Sequence, residues 1–356
     1  MTLRRRSYKH SRSLGSEEVE DHGQERLSSR WILTDKSTPT EVKVKARLVC
    51  RGFEENIQVQ ADSPTCSRET LHMLLALSAT KEWKIKSGDV KNAYLQGEQL
   101  DREVFMEPPP EKNKPNTIWK LKKSVYGMND AGRKWFFKVE ATLSQLACRK
   151  SKYDHCLFYY RTGDRLEGII LLWVDDIFHA GTEKFEKEVM VKVSQQFLIG
   201  RTEEETFNYI GLNIQTTTDG ITLDQISYVK ERMEPAVLRG GDNKRPLDKE
   251  ETRLLRLLTG KINWAATQSR PDLSYTVVEL STRFKQPHLE DLKKANKAIN
   301  SVKANPVKML FPKITGGIRI VLYSDKAFAN LPDQISSGCG HIIFMTGGGN
   351  NAAPLA

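Results

Sequence analysis

From Gly168 to Gly181 the chain reads GIILLWVDDIFHAG, an apolar run broken by two adjacent aspartates. Ile169 to Val174 are apolar and partly β-branched, and Ile177 and Phe178 resume the pattern. The segment therefore predicts a β-hairpin with Asp175 and Asp176 at its tight turn. Two uncompensated carboxylates there repel each other. Cations seated against them reverse the repulsion, because a divalent ion is the largest local charge in its site. An Asp-Asp pair alone also describes a solvated turn, so the metal reading needs a third group.

Ser87 to Gly97 (SGDVKNAYLQG) supplies one. Trp83, Ile85 and Val90 flank Asp89 in a short strand-like stretch, and Asp89 becomes a third ligand if the two strands lie side by side. Three carboxylates with few other ligands suit magnesium, which keeps several waters and takes its remaining oxygens from substrate phosphates. Two such ions about 4 Å apart clamp the attacking and leaving oxygens of an in-line phosphoryl displacement. Mg2+ is thus the expected cofactor, as two ions, with Mn2+ as an alternative.

The order of motifs from Lys43 onward resembles the reverse transcriptase of Ty1/copia-type retrotransposons. The segments are KVKARLVCRGFEE (Lys43 to Glu55), GDVKNAYLQGE (Gly88 to Glu98), VFMEPPP (Val104 to Pro110) and WKLKKSVYGMNDAGRKW (Trp119 to Trp135). They continue with LLWVDDI (Leu171 to Ile177), YIGLNI (Tyr209 to Ile214), SRPDLSYTV (Ser269 to Val277) and YSDKAFAN (Tyr323 to Asn330). Each alone is a weak pattern; eight in the family's order are specific.

The resemblance implies an α+β fold, a right-hand polymerase with fingers, a palm built on an antiparallel sheet, and a helical thumb. It implies that Asp89, Asp175 and Asp176 are the catalytic, metal-binding carboxylates, and that Tyr94 is the aromatic steric gate under the incoming sugar. A ring there clashes with a 2′-hydroxyl, the group that separates RNA from DNA precursors. Without the spacing from Asp89, Tyr94 reads as an ordinary core aromatic. Lys45 and Arg47 fall where cations neutralise a triphosphate. Arg51 shares that role or belongs with them to an exposed basic strand face. Tyr209 and Gly211 fall in the primer grip. The implied partners are an RNA or DNA template with its primer and deoxynucleoside triphosphates.

Departures from the family bear on activity. Trp173 stands where a tyrosine is usual, keeping the aromatic packing without a hydroxyl near the primer end. Asp130 and Gly132 replace a glutamine and a proline, and a carboxylate at Asp130 near the nucleotide repels its phosphates. Alternatively Asn129 or Asp130 caps a helix with Trp135, Val139, Leu143 and Leu146 on one face, where an acid suits the N-terminal dipole. Ile318 to Leu322 and the following motifs resemble the opening of the family's ribonuclease H domain, with Asp325 in place of its first catalytic acid. The later acids of that domain would lie past Ala356, so the expectation is a truncated remnant within a polyprotein fragment, without ribonuclease H activity of its own.

Composition agrees. The chain's 356 residues, 38% of them hydrophobic, suffice for two or three domains with cores. A net charge of +10 suits a polyanionic partner, because lysine and arginine release condensed counterions on neutralising phosphates. Five cysteines without a C-x-x-C spacing support neither a zinc site nor a disulfide framework and suit a reducing, intracellular setting, cytoplasm or nucleus. No apolar run approaches the roughly 20 residues that span a bilayer, so no membrane partner is expected.

Four regions are expected. Residues 1–30 carry basic residues Arg4, Arg5, Arg6, Lys9 and Arg12, then acids from Glu17 to Glu25, and read as a disordered tail. Residues 31–241 form fingers and palm, with RWILTDK paired to KVKARLV and a helix from a Ser67 cap that presents Leu71, Leu74, Leu75 and Leu77 to the core. A second helix runs from Thr182 with Phe185, Val189, Val193 and Phe197 in its stripe, and Asp219-Gly220 signals a hairpin turn. Residues 242–306 form the helical thumb, where Lys293, Lys294, Lys297 and Lys303 either follow a duplex backbone or are a solvated face. Residues 307–356 form the ribonuclease H-like end. The function so read is RNA-directed DNA synthesis; the competing reading is a non-catalytic, nucleic-acid-binding remnant. A P-loop or calcium-loop protein is a poor alternative, since neither spacing appears.

Overall fold

The computed structural model describes residues 15–35, 37, 41–327 and 338–356. The basic run from Arg4 to Arg12 and Phe328 to Asn330 of the last motif lie outside the described residues. The chain divides into two compact units, residues 1–66 with 88–202, and residues 67–87 with 203–356.

In the first unit, β1 (Ser16–Glu20) pairs with β6 (Thr117–Lys123), which pairs with β5 (Gln99–Met106). Over the described residues 15–30 this corrects the expectation of a disordered tail. Two acids of β1 pair with distant lysines: Glu17 lies 2.6 Å from Lys122 of β6, and Glu18 2.8 Å from Lys114, just before that strand. Partners about a hundred residues away cannot be seen in local composition. β2 (Ser29–Asp35) and β3 (Val44–Cys50) form the expected antiparallel ribbon, with Lys45 opposite Thr34 and Arg47 opposite Ile32. The core beneath holds Leu48, Leu95, Met106, Trp119, Leu121 and Met128.

β9 (Arg165–Trp173) and β10 (Asp176–Gly181) make the central hairpin, in register from Trp173 opposite Asp176 to Gly168 opposite Gly181. They belong to a six-stranded sheet in the order β11 (Ile199–Glu204), β4 (Lys84–Val90), β10, β9, β8 (Leu157–Thr162), β7 (Arg149–Lys150). Ile169 to Leu172, Ile177 and Phe178 are all buried, as strands covered on both faces require. The helical segment after β10 starts where Thr182 accepts a hydrogen bond from the Phe185 amide. It buries the predicted Phe185, Val189, Val193 and Phe197 stripe, with a π-helical stretch at Glu186–Met190.

In the second unit, the helix Arg68–Lys81 is capped by Ser67, whose hydroxyl accepts from the Thr70 amide, and ends at Glu82 in the left-handed region. Leu71, Leu74 and Leu75 are buried; Leu77 is only half-buried. β12 (Thr206–Tyr209), β13 (Leu212–Thr217), β14 (Gly220–Asp224) and β15 (Met309–Pro312) form an antiparallel sheet, with the β13–β14 turn at Thr218-Asp219. The helices Lys249–Gln268, Ser274–Thr282 and Leu289–Ala304 pack Leu255, Leu258, Ile262, Leu280, Leu292 and Ile299 into one core. A last sheet joins β16 (Arg319–Lys326), β17 (Cys339–Thr346) and β18 (Ala352–Pro354).

The compact units do not part at the expected boundaries of 241 and 306. The Ser67-capped helix and β12 to β14 group with the later helices, and β15 joins β14 rather than the C-terminal sheet. Apolar periodicity says that a segment is a strand, not which sheet takes it.

Candidate active site

The hairpin turn consists of Val174 and Asp175; Asp176 is already the first residue of β10, opposite Trp173. Val174 has φ +55°, a left-handed conformation that a β-branched side chain adopts only under strain, at a cost of about 1–3 kcal/mol. Two hydrogen bonds hold the turn there. The Trp135 indole donates to the Val174 carbonyl at 2.6 Å, and the Val90 amide donates to the Asp175 carbonyl at 2.8 Å. The second bond brings β4, and with it Asp89, beside the aspartate pair. Gly200 of β11 completes the wall: a Cβ added there would lie 3.0 Å from the Asp89 carbonyl oxygen and 3.3 Å from its Oδ2.

The three carboxylates act on one another. Burial pushes Asp176 up from 3.8 to about 6, and repulsion from Asp175 and Asp89 adds to the effect. Asp175 is raised chiefly by burial and further by Asp89, with Arg47 and Lys45 opposing the rise. Two phenols share the neighbourhood. Tyr94, on the short helix Ala93–Gln96 that follows Asn92 in the left-handed region, is raised by burial and by Asp175. Tyr126 is raised to about 12 by burial and then by Asp175. Their rings lie 5.0 Å apart, and the Arg47 guanidinium sits 5.9 Å from the Tyr126 ring centre.

Asp89, Asp175, Asp176, Lys45, Arg47 and Tyr94 therefore share one electrostatic neighbourhood in the first unit. Arg51 is exposed and lies 3.5 Å from Glu54. Tyr209, Gly211 and Asp325 belong to the second unit. Tyr209 is buried at the end of β12, and Ile210 (φ +55°) and Gly211 (φ +78°) form a two-residue turn of the twist hairpins favour. Asp325 is exposed on β16, opposite Gly340. Of the four lysines of the third region, Lys293 donates to Asn243 at 2.8 Å, Lys303 meets Glu234 at 2.7 Å, and Lys294 pairs with Glu279. Lys297 is exposed. Trp173 is half-buried and bridges to Thr65.

Asp130 does not cap its helix through its side chain: it occupies the N-cap position of the helix Ala131–Gln145, yet that side chain makes no capping bond. Its carboxylate instead accepts from Arg102 Nη1 at 2.7 Å and from the Ser124 hydroxyl at 3.3 Å. Arg102 also binds Glu55 through two nitrogens, at 2.6 and 3.0 Å. The carboxylate is buried and ion-paired to a guanidinium that it shares with Glu55.

Four residues near the site escaped the sequence reading: Trp135, Tyr126, Arg102 and Gly200. Trp135 lies on the predicted apolar face and is buried as expected, but a buried indole also needs an acceptor, and that need was a usable signal. For Arg102 and Gly200 no local signal existed.

Among the described residues, no three His, Cys, Asp or Glu side chains converge closely enough to hold a metal ion. The donor chemistry nevertheless fits a hard divalent cation: three oxygen-donor side chains, two of them driven toward protonation by burial and mutual repulsion.

The family model for reverse transcriptase (RNA-dependent DNA polymerase) matches residues 19–245. The chain belongs to the reverse transcriptase family. It is 27% identical over 341 residues to the retrovirus-related Pol polyprotein from transposon RE1 of Arabidopsis thaliana, covering 90% of this chain and 23% of that protein. It is 24% identical over 364 residues to the Pol polyprotein from transposon TNT 1-94 of Nicotiana tabacum, covering 92% of this chain and 27% of that one. The chain thus spans about a quarter of the length of these copia-type relatives. A solved structure of the foamy viral protease-reverse transcriptase in complex with double-stranded DNA is similar in fold. Its TM-score is 0.53 at 12% identity, covering 95% of this chain and 52% of that one. The mixed α/β architecture is accordingly that of a polymerase. Among the described residues no helix is long and apolar enough to cross a membrane.

Proposed function

We propose that this reverse transcriptase domain is an RNA-directed DNA polymerase, extending a primer on an RNA or DNA template. The observation that carries the reading is the junction of β4 with the β9–β10 turn. Through the Val90–Asp175 hydrogen bond it sets three mutually repelling carboxylates beside Arg47 and Lys45. The primer 3′-hydroxyl, losing its proton to solvent, attacks the α-phosphorus of a deoxynucleoside triphosphate; as the new O–P bond forms, the bond from the α-phosphorus to the bridging oxygen breaks, and pyrophosphate leaves with that oxygen and the electron pair. Asp89 and Asp175 would hold two magnesium ions, with Asp176 assisting. Such ions, when bound, supply charge neutralisation for the attacking and leaving oxygens. Lys45 and Arg47 neutralise the triphosphate. Tyr94, braced against Tyr126, presents its ring to the sugar and rejects a 2′-hydroxyl. Catalysis of this kind is mostly positioning and electrostatics. We assign residues 31–241 to fingers and palm, with Tyr209 and Gly211 in the primer grip, and 242–306 to the thumb.

The test is extension of oligo(dT) on poly(rA) with magnesium. The wild type extends and Asp175→Asn does not. If neither extends while both bind the hybrid, the domain is a non-catalytic, nucleic-acid-binding remnant.

A further inference from the structure

We propose that Arg102 is a positioning residue for the nucleotide site, holding the strand that carries Lys45 and Arg47 in register with the turn that carries Tyr126. The inference rests on the polymerase reading for its substrate, and on side-chain geometry for everything else.

Arg102 lies on β5, outside every segment assigned to the substrate. Its guanidinium forms a fork with a carboxylate on each side, Glu55 at 2.6 and 3.0 Å and Asp130 at 2.7 Å. The three side chains are only 14%, 7% and 4% exposed, while Asp101, also 3.7 Å from Arg102, is 73% exposed. Glu55 closes the 3-10 turn that follows β3, the strand of Lys45 and Arg47. Asp130 stands at the start of the helix Ala131–Gln145, just after the turn that the Met128 amide closes onto the Val125 carbonyl beside Tyr126. One guanidinium therefore joins the two chain segments that carry Arg47 and Tyr126, both of which interact electrostatically with Asp175.

Those segments are otherwise laced by backbone. The Cys50 amide donates to the Tyr126 carbonyl at 2.8 Å, the Gly52 amide to the Gly127 carbonyl at 3.1 Å, and the Asn129 side chain to the Gly52 carbonyl at 3.2 Å. Gly127 is at φ +97°, and a Cβ there would sit 2.0 Å from the Cys50 carbonyl oxygen. Contact this close makes the relative position of Arg47 and Tyr126 depend on the few groups that join the two segments. A planar fork can meet two carboxylates in fixed directions, and a lysine ammonium cannot. The same fork gives the buried Asp130 carboxylate a partner that it shares with Glu55.

The experiment measures primer extension against dTTP concentration and, separately, equilibrium binding of dTTP with magnesium by calorimetry. The variants are Arg102→Met, Arg102→Lys and the neutral triple variant Glu55→Gln, Arg102→Met, Asp130→Asn. Arg102→Met is expected to raise KM and Kd for dTTP about tenfold with kcat within threefold of wild type. Arg102→Lys should be intermediate. The triple variant, which leaves no buried charge unpaired, should recover the thermal midpoint but not the dTTP affinity. The proposal is overturned if Arg102→Met binds dTTP within twofold of wild type, or if the triple variant recovers midpoint and affinity together, since Arg102 would then only support the fold. If no protein extends primers but Arg102→Met still weakens dTTP binding tenfold, polymerase turnover fails and the positioning role stands.

Discussion

Replacing Asp176 by asparagine should make this protein more stable at neutral pH. The side chain is held partly buried between Asp175 and Asp89, and burial first, repulsion second, raise its acid from 3.8 to about 6. A group that binds its proton more tightly folded than unfolded weakens the fold as pH rises between those values, and above about pH 6 the loss is complete. A shift of about two units corresponds to about 3 kcal/mol. Because the group keeps substantial contact with water, screening reduces that to about 1–2 kcal/mol. For a domain of this size each kcal/mol moves the midpoint by about 2–4 °C. Thermal unfolding of wild type and Asp176→Asn in EDTA at pH 7.5 should therefore differ by roughly 2–8 °C in favour of the variant. The difference should vanish near pH 4, where wild-type Asp176 is protonated too. A variant that melts at or below the wild-type temperature at pH 7.5 would refute the view that the carboxylates are electrostatically opposed.

Trp135→Phe keeps the packing against Phe197 but removes the donor to the strained Val174 carbonyl, costing about 1–3 kcal/mol. Primer extension should fall at least tenfold, and an unchanged rate would show that the turn holds itself. Gly200→Ala drives a methyl to 3.0 Å from the Asp89 carbonyl oxygen; kcat should drop while the melting temperature changes little, and full activity would remove Gly200 from the site's wall. His72 is buried, with Nδ1–H donating to the Leu355 carbonyl at 3.0 Å, and burial lowers its pKa to about 4. Its depressed pKa means that stability is lost as pH falls from about 6.5 toward 4, by about 3 kcal/mol. An NMR titration should find this imidazole neutral at pH 5, and a midpoint near 6.5 would contradict its burial.

What could be read from the sequence was whatever is written locally. The β9–β10 hairpin is an apolar run with a polar break, the helices after Ser67 and Thr182 announce themselves by cap and stripe, and eight short motifs in order carry the resemblance on which the site rests. What escaped depends on partners distant in the chain. Glu17 and Glu18 look like a solvated acidic tail until Lys122 of the neighbouring strand and Lys114, just before it, pair with them. Asp130 looks like a cap or a liability until Arg102 meets it 28 residues away. Asp176 differs in a smaller way: a tight turn was correctly expected, but strand pairing begins one residue earlier, so the aspartates are a loop residue and a strand residue with unequal surroundings.

The most direct test of the central claim is single-turnover extension of a primed RNA template with dTTP and varied magnesium, comparing wild type, Asp175→Asn and Asp325→Asn. The account predicts magnesium-dependent extension by wild type and Asp325→Asn at equal rates, and a loss of at least a thousandfold in Asp175→Asn. Extension by Asp175→Asn at the wild-type rate would contradict it, because the chemistry would then lie away from the β9–β10 turn.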